Sequence, residues 1–217
     1  MATVYPTGSA IRRAFAVLRE EGLTSFWFKL ASTVGYRRLL LLERPLMEAV
    51  PQIEPGQRLD FGTLAISEVD AYLAFRPELS RAIVLDRLRS AQACFYARHE
   101  GRIVSACWAT KQSAWIEFLG CEFTLAPGEV YVFDAYTVPL YRGQGVAPAL
   151  CLHQLSHFRQ EGLRRAIRAT LPENIPALRA HAKSGFHAYA LLRSLRIGPW
   201  HFCVERPWQH RAAMANA

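Results

Sequence analysis

No stretch of this sequence is long and apolar enough to span a bilayer: its densest apolar run, 39–42, is four leucines, where a spanning helix needs about 20 residues. No secretory signal is evident either, because the first apolar stretch is interrupted by Arg12, Arg13, Arg19 and two glutamates. The five cysteines, Cys94, Cys107, Cys121, Cys151 and Cys203, are odd in number, widely spaced and without a C-x-x-C pair. That spacing argues against a disulfide framework and fits reduced, mostly buried thiols in a cytoplasmic protein. Acidic residues are the scarcer charge, 18 against 26 lysines and arginines, which leaves a formal charge of +8. An anionic partner follows, although charge alone suits a nucleic acid, an anionic membrane or a phosphorylated small molecule equally. A composition that is 51% apolar and 20% charged over 217 residues is ordinary for a globular protein and argues against disorder. Such a chain buries one good core, or forms one domain with an extension.

What is present is a punctuated segment at 137–150, Thr-Val-Pro-Leu-Tyr-Arg-Gly-Gln-Gly-Val-Ala-Pro-Ala-Leu. An apolar, β-rich run turns through Gly143 and Gly145 into an amphipathic helical pattern, so the order is strand, loop, helix. Closely spaced glycines let backbone approach an anion, and the unpaired N–H groups of the helix's first turn, with its dipole, hold a pyrophosphate. The dinucleotide fingerprint G-x-G-x-x-G does not fit. Pro148 takes the third glycine's place, and Glu161 falls at the helix end rather than at the end of a following strand roughly 20 positions on. A P-loop does not fit either, since the loop has no lysine.

The segment resembles motif A of the GNAT superfamily of acetyl-CoA-dependent acyltransferases, Q/R-x-x-G-x-G/A. Arg142, Gly145 and Ala147 occupy its defined positions, and Thr137, Pro139 and Tyr141 stand where Val-x-Pro-x-Tyr is typical. Downstream, 174–186 matches the family's N-x-x-A-x-x-x-Y-x-x-x-G-F through Asn174, Ala177, Gly185 and Phe186. His181 replaces the tyrosine, a variant that resembles phosphinothricin-type acetyltransferases. The same segment also reads without the family. Asn174 suits an N-cap, Pro176 a first helical turn, and Gly185 a helix end that turns into a strand.

The resemblance implies an α/β (α+β) GNAT fold, with a mixed central sheet of about six to seven strands flanked by helices. It covers about 36–206, with an N-terminal helical extension at 1–35 and a tail at 207–217. Along the chain, amphipathic helical patterns at 8–35 precede a strand at 36–43 and a loop at 50–57. A strand at 59–66, helices at 67–75 and 79–91, and a hairpin turning at Glu100 and Gly101 follow. A further strand is expected within 114–119. Then come a strand at 130–137, a helix at 147–161, a strand at 165–171, the second motif, and closing strands at 188–197 and 200–206.

Carried over residue by residue, the resemblance puts acetyl-CoA against Arg142, Gly143, Gln144, Gly145, Val146 and Ala147 at the pyrophosphate. Thr137 and Val138 would pair their backbone with the pantetheine amides as a strand would. Asn174 would bond the same arm or cap its helix. His181 is the candidate acid for the departing thiolate, as imidazolium or hydrogen-bonded imidazole; the other reading is that it packs beside the pantetheine arm. Asp134 is the candidate group for attracting and deprotonating an amine, against a structural ion pair with one of the many arginines. Strand alternation sets it with Tyr136, opposite Phe133 and Ala135. Glu117 and Glu122 are substitutes for that role.

His153 and His157 have the spacing of a zinc pair, but the glutamate of H-E-x-x-H is a glutamine here and the helix belongs to the cofactor motif; no metal is implied. The stripe Ala147, Leu150, Cys151, Leu155 and Phe158 reads as that helix's core face. The expected activity is direct acetyl transfer from acetyl-CoA to a primary amine, on a small-molecule acceptor and not a nucleic acid. Two alternatives stand beside it. One is a silent coenzyme A-binding module. The other gives the greasy, basic N-terminal helices a membrane or carrier-protein docking role, where the plainer reading has them packing on the domain or forming a homodimer contact.

Overall fold

The structure is a computed structural model describing residues 35–48, 56–197 and 200–208. All but the last residue of the expected N-terminal extension and most of the 50–57 loop and of the C-terminal tail lie outside these residues. The leucine run lies in strand β1 (Tyr36–Pro45). A strand without apolar–polar alternation must be covered on both faces, and this one is. Leu39 and Leu41 enter one apolar cluster, and Leu40 and Leu42 enter another on the opposite face.

The remaining elements follow the expected order. β2 (Asp60–Thr63) leads to a short 3-10 turn and helices α1 (Val69–Phe75) and α2 (Arg81–Arg89), the latter capped by Ser80 accepting from the Ile83 N–H. β3 (Ala93–His99) and β4 (Arg102–Thr110) form the hairpin, with Glu100 and Gly101 both at positive φ. That conformation suits the right-handed twist of paired strands. β5 (Ala114–Ile116) and β6 (Cys121–Phe123) make a small separate hairpin, so the single strand expected at 114–119 is a pair. β7 (Glu129–Thr137), α3 (Val146–Gln160), β8 (Arg165–Thr170), α4 (Ile175–Lys183), β9 (His187–Ile197) and β10 (Trp200–Pro207) complete the chain.

Eight strands join one mixed sheet in the order β10-β9-β1-β8-β7-β4-β3-β2, one more than the upper end of the expected six to seven. β1 inserts antiparallel between β8 and β9, with β10 pairing outside β9. One sheet face is covered by α3 through Leu150, Cys151, Leu155 and Phe158. On the other, the β5–β6 hairpin lies over Leu39, Leu41 and Ile167, and α1 and α2 lie over β3 and β4. There Trp108 is fully buried with its indole N–H donating to the Tyr72 hydroxyl at 2.7 Å, so the largest core side chain leaves no polar group unpaired. Among the described residues no helix is long and apolar enough to cross a membrane.

Among the described residues the only parallel pairing runs for four rungs, from Glu129 opposite Arg165 to Val132 opposite Arg168. Beyond it the partners change. β7 stays with β4 as far as Thr137, opposite Ser105, while β8 stays with β1 as far as Thr170, opposite Leu40. The two strands therefore part at Val132 and Arg168. A β-bulge accompanies the parting: between the rungs Trp108–Phe133 and Ala106–Tyr136, Cys107 alone faces both Asp134 and Ala135. Asp134 takes φ +47 there. A bulge of this kind bends and over-twists its strand, which turns the end of β7 away from β8. It also breaks the expected alternation. Asp134 shares contacts with Tyr136 as expected, since Arg76 touches both, but Phe133 is on their side too, because Arg87 meets both it and Asp134.

Candidate functional site

The parting strands open a cleft against α3 and α4, in two connected parts. The outer part, about 690 Å³, runs between the glycine loop and the start of α4. The inner part, about 240 Å³, reaches down to Arg168 and His181. Ala135, Thr137, Ala147, Pro148, Ala177 and Ala180 line both. Their side chains are small, which leaves a passage suited to a narrow, chain-like ligand.

Backbone conformation builds the outer end. Gly143 and Gly145 have φ +77 and +78, and Gly145 is the residue on which α3 starts. The left-handed region costs glycine nothing, which explains the residue type at both positions. The α3 first turn, with its dipole and free N–H groups, opens directly on the cleft through Val146 and Ala147. Pro148 is the third residue of that turn, where a missing N–H breaks no helical bond. Arg142, Arg179 and Lys183 line the same space and are exposed. Arg142 is held across the entrance by donating Nε to the Thr137 carbonyl at 3.0 Å. Asn174 caps α4, its side chain accepting from the Ala177 N–H at 3.2 Å. At the other end of α4, Gly185 sits at φ +78, where a Cβ would come within 1.9 Å of the Arg44 guanidinium.

Of the residues expected around a pyrophosphate and pantetheine, Thr137, Arg142, Gly143, Gly145, Val146, Ala147 and Asn174 line the outer cleft. Two do not. Gln144 turns its side chain to the Leu140 carbonyl and to Gln57, and the Val138 N–H is taken by the Val104 carbonyl at 3.0 Å. Backbone groups of alternate strand residues face the same neighbour, so with Val138 turned to β4, those of Thr137 face the gap. Ala147 lines the cleft and is exposed instead of joining the α3 core face. Leu150, Cys151, Leu155 and Phe158 are buried as expected. The two α3 histidines pack against aromatic rings, His153 stacked on Phe61 at 4.9 Å and His157 edge-on to Phe95 at 5.1 Å.

His181 does reach the inner cleft. Its Nδ1 lies 3.1 Å from Arg168 Nη1. Guanidinium only donates, so Nδ1 accepts and the ring proton sits on Nε2. Burial, with the Arg168 charge second, pushes its pKa down to about 3. The imidazolium form is therefore unavailable near neutral pH, and only a neutral N–H donor remains. Arg168 also donates Nη2 to Cys107 Sγ at 3.2 Å and lies 5.4 Å over the Phe186 ring. Burial, opposed by Arg168, pushes the Cys107 thiol up to about 11, which keeps it protonated and inert as a nucleophile.

Asp134 lines neither part of the cleft. Its Oδ1 accepts from Arg76 at 3.1 Å and its Oδ2 from Arg87 at 2.5 Å, so the ion pair weighed from the sequence is formed, twice over. Glu117 and Glu122 line neither part as well; Glu122 stands in β6 opposite Trp115. Sequence reasoning missed Arg168, Arg179 and Lys183. Spacing of i and i+4 on α4 was a usable signal for the last two. Nothing local marked the first, an arginine within the strand at 165–170.

A model of the acetyltransferase (GNAT) family matches residues 63–186. No match is found among curated proteins. Among solved structures, the chain is similar to a GCN5-related N-acetyltransferase from Sphaerobacter thermophilus, with a TM-score of 0.53 and 16% identity over 86% of this chain and 57% of that one. It is also similar to a putative GNAT-family acetyltransferase from Novosphingobium aromaticivorans, with a TM-score of 0.50 and 18% identity over 73% of this chain and 65% of that one. A glucosamine N-acetyltransferase region of a fungal multi-domain β-N-acetylglucosaminidase gives 0.57 and 16%, over 80% of this chain and 23% of that one. The chain thus spans 57% and 65% of the length of the first two. These likenesses are of fold, and the family assignment rests on the 63–186 match, which takes in β3 to α4 and the whole cleft wall between them. The chain belongs to the acetyltransferase (GNAT) family.

Proposed function

We propose that the chain is an N-acetyltransferase that takes acetyl-CoA as donor and passes the acetyl group directly to the primary amine of a small molecule. The observation that carries this is the cleft's polarity. Left-handed glycines, a helix N-terminus and three cations stand at its mouth, and a narrow passage leads to the parted strands. A ligand with phosphates at one end and an extended arm with a reactive sulfur at the other fits that gradient. Thr137 presents strand backbone to the arm, Arg142 and the Gly143–Ala147 loop face the phosphates, and Asn174 holds the start of α4 in place. His181 acts as a neutral Nε2–H donor toward the sulfur. Binding of acetyl-CoA by calorimetry, then thiol release across a panel of amino sugars, polyamines, amino acids and peptides, tests the reading. Release with one amine class and recovery of its acetylated product are expected; failure to bind either acetyl-CoA or coenzyme A overturns it.

A second reading, a coenzyme A-binding module without acceptor chemistry, is favoured by the two guanidiniums that occupy both oxygens of Asp134. Tight binding with no release from any amine selects it. Asp134→Asn separates the roles of that carboxylate. Loss of turnover with an unchanged unfolding midpoint makes it the acceptor base, whereas a lowered midpoint with turnover kept makes it the anchor of the bulge.

A further inference from the structure

Arg168 stands on the last rung of the β7–β8 ladder, opposite Val132, where the two strands part and the inner cleft begins. Only 7% of its surface is exposed. A buried guanidinium is ordinarily matched by a carboxylate, since desolvating an unmatched charge is expensive. Among the described residues none is within ion-pair distance of Arg168. The groups facing it from each packed element are Cys107 of β4, Cys151 of α3, His181 of α4 and Tyr131 of β7, with the Phe186 ring beneath. His181 contributes a neutral ring nitrogen and Cys107 a protonated sulfur, neither of which cancels the charge.

On the reading proposed above, the arm enters from the phosphate end and its sulfur lies at the inner end, beside this cation. We propose that Arg168 is the electrostatic partner of the coenzyme A thiolate: its positive charge is left uncompensated by the protein and is matched by the anion that the reaction itself produces. The acceptor nitrogen bonds to the thioester carbonyl carbon, the carbon–sulfur bond breaks with its electron pair remaining on sulfur, and the amine's surplus proton passes to water. The thiolate then leaves as an anion stabilised by Arg168, with the Nε2–H of His181 as a hydrogen-bond donor. Expulsion of the thiolate thus needs no strong acid, which accounts for a histidine that stays neutral at this position.

The test uses the whole protein and coenzyme A with a free thiol, together with desulfo-coenzyme A, which lacks the sulfur. Thiolate absorbance in the ultraviolet is titrated for bound coenzyme A, with the desulfo complex subtracting the protein's own cysteines. The bound thiol is expected to ionise at least tenfold more readily than free coenzyme A in the same buffer. Arg168→Gln abolishes the shift and Arg168→Lys retains part of it. Should Arg168→Gln fail to fold, wild-type protein still decides: its preference for coenzyme A over the desulfo analogue must grow with pH as the thiolate forms. Equal affinity for the two at every pH, or a shift that survives undiminished in Arg168→Gln, overturns the role of Arg168 while leaving the donor reading intact. Binding of neither molecule overturns both.

Discussion

At the mouth of the cleft Arg142, Arg179 and Lys183 stand exposed around a loop of left-handed glycines, whereas at its closed end Arg168 lies buried against a neutral histidine and a protonated cysteine. Both ends are positive, but the physics differs. Exposed cations keep their hydration, share the work among several weak contacts and are screened by salt. A buried cation has already lost its water, so each interaction it makes acts through a low effective dielectric. On the proposed reading the mouth serves capture, and the closed end acts on one atom.

The largest expected effect breaks the mouth. Gly145→Val puts a β-branched residue at φ +78 on the N-cap of α3, costing about 1–2 kcal/mol in backbone strain. It also displaces first-turn N–H groups from the cleft. Loss of two hydrogen bonds to a charged acceptor, each worth about 1.5 kcal/mol or more, lowers coenzyme A affinity by roughly 100-fold. Calorimetric titration checks this, and an affinity within about threefold of wild type would show that the loop does not hold the phosphates.

The next effect sharpens the closed end. The pKa of His181, depressed to about 3 in the folded protein, is about 6.5 in an unfolded chain. Between these values the unfolded state binds one more proton, so stability is fully present above pH 6.5 and is lost as pH falls. The slope from this group approaches about 1.4 kcal/mol per pH unit. Urea unfolding of wild type and His181→Gln between pH 4.5 and 7 should give a shallower slope in the variant; parallel curves would mean that the imidazole is not buried against Arg168.

The contrast also explains what could be read from the chain. Gly143, Gly145, Asn174 and Gly185 were legible because each position demands a backbone conformation or cap that few residue types supply, and the demand is local. The strand at 36–43 was legible, but its burial on both faces and the strands that flank it are long-range matters, and insertion between β8 and β9 left no local mark. The bulge was hidden because Asp134 is a non-glycine residue at positive φ, so nothing in its type announced the break in alternation. Arg168 was hidden for a related reason: an arginine in a short strand reads as a surface charge until the sheet partners that bury it are known.

Smaller effects belong to the individual exposed cations. Arg142→Ala removes a planar donor that is already oriented by the Thr137 carbonyl; a tenfold loss of coenzyme A affinity is expected, or about 1.4 kcal/mol. Arg142→Lys restores only part of it, because an ammonium lacks the fork.

Lys183→Ala is the smallest expected change and the cleanest separator of the two ends. The side chain lines the outer cleft from the last turn of α4 and is exposed, so its loss costs on the order of 0.7 kcal/mol, about threefold in affinity, at low ionic strength. Raising the salt concentration should shrink that difference, since the Debye length falls from about 10 Å at 0.1 M to about 3 Å at 1 M. The ionisation of the bound thiol should stay where it is in wild type, because Arg168 acts at the other end and through the protein interior. A salt-independent loss in Lys183→Ala, or a thiol that moves with it, would mean that the cleft's charges work as one field and not as a capture site joined to a reaction site.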